Sequence, residues 1–62
     1  MPKDPVILLS YVNMLLRDKY SSLDNMKDDL GSEADTAEQI LNSAGYVYDK
    51  GSNSFIYGEA ER

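Results

Sequence analysis

The sequence predicts a small α+β domain, three helices followed by a C-terminal β-hairpin, and three observations lead to that class. Asp4 to Tyr20, DPVILLSYVNMLLRDKY, is by far the most apolar stretch of the chain and opens on its own helix start signal. Two shorter stretches with apolar residues at helical spacing follow, closed by Gly31 and Gly45. After Gly45 the apolar period changes from 3.6 to 2, with YVY and FIY flanking the turn-forming DKGSNS.

In the first stretch the Asp4 carboxylate can accept hydrogen bonds from free backbone N–H groups, and Pro5 suits the first helical position because its missing donor costs nothing there. The helix is expected from Pro5 to about Lys19. Residues spaced at about 100° put Ser10, Asn13 and Arg17 on one polar strip shared with Val6, and leave an apolar arc of roughly 220°. That is wider than the stripe of about 100° that one core-facing helix needs. Leu8, Val12 and Leu15 lie near mid-arc and are expected in the core. Ile7, Leu9 and Leu16, at or near the edges, are the candidate interface of a two-fold dimer unless the hairpin folds across them. The uninterrupted apolar run Val6 to Leu9 falls far short of the roughly 20 residues of a membrane span. Acidic Asp4 and the lack of a small-residue cleavage site do not fit a secretory signal, so a cytoplasmic protein is expected.

Ser21 or Ser22 can cap the second helix, with Asp24 in its first turn near the positive end of the dipole. Leu23, Met26 and Leu30 form its single apolar stripe. Ser32 is expected to cap the third helix, with Asp35 three residues on, and its inward side should carry Ala34 or Ala37 with Ile40, Leu41 and Ala44. In the hairpin, Tyr46 and Tyr48 share one face with Phe55 and Tyr57, giving aromatic cross-strand pairs against the helices, while Val47 and Ile56 point the other way. The 62 residues read as one domain, 1–62, with 4–57 ordered and 58–62 a frayed tail.

Composition removes several function classes. Cysteine and histidine are both absent, so there is no disulfide, no thiolate metal site and no side chain with an ordinary pKa near neutrality. No cofactor is expected, and dimerisation is the remaining way to reinforce so small a core. Asp24, Asp28 and Asp29 lack the alternating ligands and central glycine of a calcium loop and read as a solvated face. Five tyrosines would need a basic groove beside them to act as a stacking platform for single strands, and none is visible. Catalysis would have to rest on carboxylates such as Asp24 and Asp28, and the chain is read as a non-enzyme.

Two resemblances accompany these readings. The segment SLDNMKDDLGSEADTAEQILNSAGYVYD, within Ser21 to Tyr57, resembles a winged helix-turn-helix: a short helix ending in Leu-Gly, a tight turn, a second helix and a hairpin wing. The start DPVILLSYVN, with SLD, GYVYD and NSF following in order, resembles a family of short uncharacterised bacterial proteins classed as a domain of unknown function, and that likeness spans nearly the whole chain. It implies a bacterial cytosolic protein and carries over no activity, cofactor or catalytic residue. The first likeness implies DNA contacts from Gln39, Asn42 and Lys50. Yet the third helix has no lysine or arginine, and its Asp35 and Glu38 would meet phosphate oxygens. With a net charge of −5, nucleic acid is the unfavoured partner. The expected role is a noncatalytic protein-interaction or structural module, self-associating or bound to an unidentified protein, with a DNA-binding regulator as the alternative.

Overall fold

The computed structural model describes residues 1–58. Helix α1 spans Pro5–Asp18, α2 Leu23–Leu30 and α3 Ser32–Ser43; strands β1 (Tyr46–Asp49) and β2 (Ser54–Tyr57) pair as an antiparallel hairpin. Each start and stop has a local chemical cause. At the head of α1 one Asp4 carboxylate oxygen accepts from the N–H groups of Val6 at 2.9 Å and Ile7 at 3.4 Å. At the head of α2 the Ser22 hydroxyl accepts from the Asn25 N–H at 3.1 Å. Gly31, at φ 62° and ψ −129°, ends α2 and leads straight into α3. Side chains rarely adopt that backbone conformation, so the one-residue corner depends on glycine. The tightness of this corner is also why Ser32 does not cap α3 as expected. Ser32 is already helical, α3 has no side-chain cap, and the Gly31 carbonyl takes the first amides, from Ala34 and Asp35.

The core consists of Leu8, Val12, Leu16 and Tyr20 from α1 and its exit, Leu23 and Met26 from α2, Ala34, Ala37 and Leu41 from α3, and Phe55 from β2. Alanines at both α3 positions let that helix approach its neighbours closely, and it packs on α1, α2 and β1. Burying these side chains is the main drive to fold, each large one contributing about 1.5–3 kcal/mol relative to exposure. The inward stripe of α1 is Leu8, Val12 and Leu16. Leu15, expected in the core, is half-buried, and Leu16, expected at an exposed edge, is only 2% exposed. Ala44, expected inward on α3, is exposed.

The hairpin has the register Tyr46↔Tyr57, Val47↔Ile56, Tyr48↔Phe55 and Asp49↔Ser54, so the expected aromatic pairs face each other across the strands. Ring centroids lie 5.9 Å apart for Tyr46–Tyr57 and 5.7 Å for Tyr48–Phe55, within the range of favourable edge and tilted contacts. Phe55 is the one buried strand residue among those described. In the turn, the Asp49 carboxylate accepts from the Ser52 N–H at 3.2 Å and its hydroxyl at 2.8 Å. The tail expected at 58–62 lies, from residue 59 on, outside the described residues.

Candidate interaction surface

What orients α1 is a polar side chain. Asn13, half-buried, donates through Nδ2 to the Phe55 carbonyl at 3.1 Å and accepts through Oδ1 from the Phe55 N–H at 2.7 Å. Because both Phe55 main-chain groups point at α1, Tyr48 and Phe55 form a non-hydrogen-bonded pair, and Asn13 satisfies the outer edge of β2 at this residue. A second asparagine completes the join. Asn53, at φ 51°, donates to the carbonyls of Leu16 at 2.9 Å and Tyr20 at 3.1 Å, groups that the end of a helix otherwise leaves unpaired. Its Oδ1 accepts from the Tyr48 hydroxyl, whose oxygen in turn accepts from the Leu23 N–H at the head of α2. One turn residue thereby links the exit of α1, the entry of α2 and strand β1.

This docking decides which part of the wide apolar arc of α1 faces outward. Drawing Asn13 against the hairpin carries Leu16 into the core and leaves the opposite edge to solvent. Ile7 is 58% exposed, Met14 40% and Tyr11 36%, at i, i+4 and i+7 along one line of the helix, with Val6 exposed to one side. Of the three interface candidates read from the sequence, Ile7 lies on this stripe, Leu9 is half-buried, and Leu16 is removed from the surface by its burial. Tyr11 and Met14 were missed, since the polar strip holding Asn13 was read as the solvated side. A second, smaller apolar pair, Val47 and Ile56, lies on the outer face of the hairpin, each 37% exposed.

Part of the charged surface is tied up in local pairs. Lys27 on α2 reaches α3, at 2.8 Å from Glu38 and 4.0 Å from Asp35, and the hydrogen bond to Glu38 raises its pKa above the ordinary lysine value. Arg17 lies along Asp18 at 2.9 Å; the hydrogen bond raises the pKa of the guanidinium and lowers that of the carboxyl, both largely in solvent. The Tyr20 hydroxyl donates to Asp29 across the α1–α2 corner, which raises the phenol's pKa. Gln39 and Asn42 are exposed on α3, and Lys50 is exposed in the hairpin turn. An open cleft between α1 and the turn is lined by Ser10, Asn13, Arg17, Ser52, Asn53 and Ser54 together with apolar Leu9, Met14 and Leu16. Asn13 spends its amide on the Phe55 backbone, Asn53 spends its own on two carbonyls and the Tyr48 hydroxyl, Arg17 pairs with Asp18, and the Ser52 hydroxyl bonds Asp49 and Ser54, so most of the cleft's polar groups are already engaged. No cluster of three carboxylates able to hold a metal ion occurs among the described residues, and no helix among them is long and apolar enough to cross a membrane.

Fold and surface together define a small α+β domain, three helices closed by a hairpin, with an apolar stripe on the outer side of its first helix. The chain belongs to the family described as a domain of unknown function, DUF4250, which matches residues 2–55. This agrees with the likeness read from DPVILLSYVN and its companion motifs. No curated protein and no solved structure matches the chain, and the winged helix-turn-helix likeness gains no support from the comparisons.

Proposed function

We propose that the chain is a noncatalytic protein-interaction module of the bacterial cytoplasm and that its contact surface is the outer side of α1. The observation that carries this reading is the line of Ile7, Tyr11 and Met14, three large apolar side chains exposed on one helix face while the core is completed without them. Water contact with such a stripe is unfavourable by roughly 25 cal/mol per Å² of apolar surface, and a partner removes that cost. The absence of cysteine suits a reducing compartment, and the net charge of −5 keeps a chain with an apolar stripe soluble.

The test is a photo-crosslinking amino acid introduced at Tyr11 in the native cell, with the same group at Asp28, on the exposed side of α2, as control. A discrete protein adduct from position 11, absent from position 28, is expected. Equal or no adducts from the two positions would overturn the assignment of the α1 face.

A further inference from the structure

We infer that Met14 is an oxidation switch on the outer face of α1: a peroxide converts its thioether to the sulfoxide without disturbing the fold, and the sulfoxide releases the partner. The inference rests on the reading of that face as the contact surface. Cysteine is absent, so three methionines hold all the sulfur of the sequence, and the fold gives them three different settings. Met26 is 0% exposed, within the core on α2. Met1 is 45% exposed in the lead-in, where it lines a cleft with Thr36 and Ile40 of α3. Met14 is 40% exposed, one turn beyond Tyr11, and also borders the cleft between α1 and the hairpin turn.

An oxidant must reach the sulfur, so exposure decides which methionine reacts. The sulfur lone pair attacks one peroxide oxygen, and the S–O bond forms as the O–O bond breaks. The proton of the transferred hydroxyl goes to the leaving oxygen, which departs as water when the oxidant is hydrogen peroxide. Sulfur is oxidised by two electrons and the peroxide is reduced by the same two.

The product is a polar side chain in place of a flexible apolar one. In the free chain water meets that polarity, because Met14 belongs neither to the core nor to the side chains packed against it. Under a partner, apolar surroundings leave the S=O oxygen unpaired. A polar group buried without a hydrogen bond weakens association by about tenfold or more. Occupancy acts in the opposite sense: a partner seated over Ile7, Tyr11 and Met14 covers the sulfur, so the free chain is the form that reacts. Enzymatic reduction of the sulfoxide returns the thioether, which makes the change reversible.

The first measurement treats the full chain with hydrogen peroxide and reads each methionine by peptide mass spectrometry, with circular dichroism on the product. Met14 and Met1 are expected to oxidise at similar rates and Met26 at least about tenfold more slowly, since its sulfur is reached only when the core opens. The helical signal and the unfolding midpoint should be retained. Met26 reacting as fast as Met14, or a fold lost on oxidation, would overturn the switch in favour of general damage. The second measurement repeats the photo-crosslinking from position 11 in the native cell before and after brief peroxide treatment, with Met14 present and with Met14→Leu, each chain compared with its own untreated sample. Peroxide is expected to reduce the adduct by about tenfold with Met14 present and to leave that of Met14→Leu at whatever level it began. An adduct indifferent to peroxide, or one lost equally from both chains, overturns the switch and leaves the contact face standing. No adduct in the untreated chain overturns the face, and the switch with it.

Discussion

Replacing Asn13 by alanine removes the two hydrogen bonds that hold β2 to α1, and the geometry allows the cost to be worked out. Phe55 loses the acceptor for its N–H at 2.7 Å and the donor to its carbonyl at 3.1 Å. A buried main-chain group left unpaired costs about 1–3 kcal/mol. Asn13 is half-buried, so water reaches the vacated space in part and the lower half of that range applies, roughly 2–4 kcal/mol for the two groups together. At about 0.05–0.15 kcal/mol per residue a chain of this length has roughly 3–9 kcal/mol in all, so the loss is a large share. Urea unfolding followed by circular dichroism measures it as a lowered midpoint.

Asn13→Asp separates the donor from the acceptor. A carboxylate can take the Phe55 N–H but meets the Phe55 carbonyl oxygen with no proton to offer, whereas the protonated acid can donate one. The folded-state pKa of the introduced acid is thus raised above its unfolded value of about 3.9. The stability it contributes is fully present below that value and is lost as the pH rises through the folded pKa. Relative to wild type, the deficit at pH 7 should shrink as the pH is lowered through the folded pKa and reach its smallest value by about pH 4. An alanine variant with an unchanged midpoint, or an aspartate deficit independent of pH, would refute the claim that Asn13 docks the hairpin.

Asn53→Gly relieves the positive φ but removes two bonds to the end of α1 and one from Tyr48, so it should still destabilise by about 1–3 kcal/mol in the same urea assay, and a gain would show that Asn53 is retained for its backbone alone. Leu8→Ala should cost about 2–5 kcal/mol and Leu15→Ala less than half as much, since the first is fully buried and the second only partly; equal costs would contradict the inward stripe of Leu8, Val12 and Leu16. Tyr20, with its pKa raised by the bond to Asp29, should ionise above the ordinary tyrosine value in an absorbance titration. The stability this bond adds is present below about pH 10 and lost as the pH rises through the folded-state value, so Tyr20→Phe should flatten the alkaline fall in stability. Lys27, also raised, loses its pairing with Glu38 in the same direction.

The elements could be read from the sequence because their causes are local. Asp4 before Pro5, Ser22 ahead of Leu23 and the two closing glycines act within a turn of the chain, and the register of the hairpin follows from the alternation of its own aromatics. The third-helix cap was misassigned because Ser32 looks like a capping residue in isolation, while the one-residue corner at Gly31 had already placed it inside the helix. The rotation of α1 was less legible still. An arc of roughly 220° offers the core several stripes of similar quality. The choice between them falls to Asn13, whose partner lies 42 residues further along the chain. Asparagine on a helix ordinarily reads as a solvent-facing residue, so nothing near it in the sequence marks it as a dock for a strand. Once it is placed, Leu16 goes in, Ile7 stays out, and Tyr11 and Met14 join it.

The most direct test of the account's central claim, that Asn13 docks the hairpin and so sets which side of α1 faces outward, is amide hydrogen exchange at Phe55 in the wild type and in Asn13→Ala. The Phe55 amide is expected to be protected in the wild type and to lose that protection in the variant. Equal protection in the two chains would contradict it.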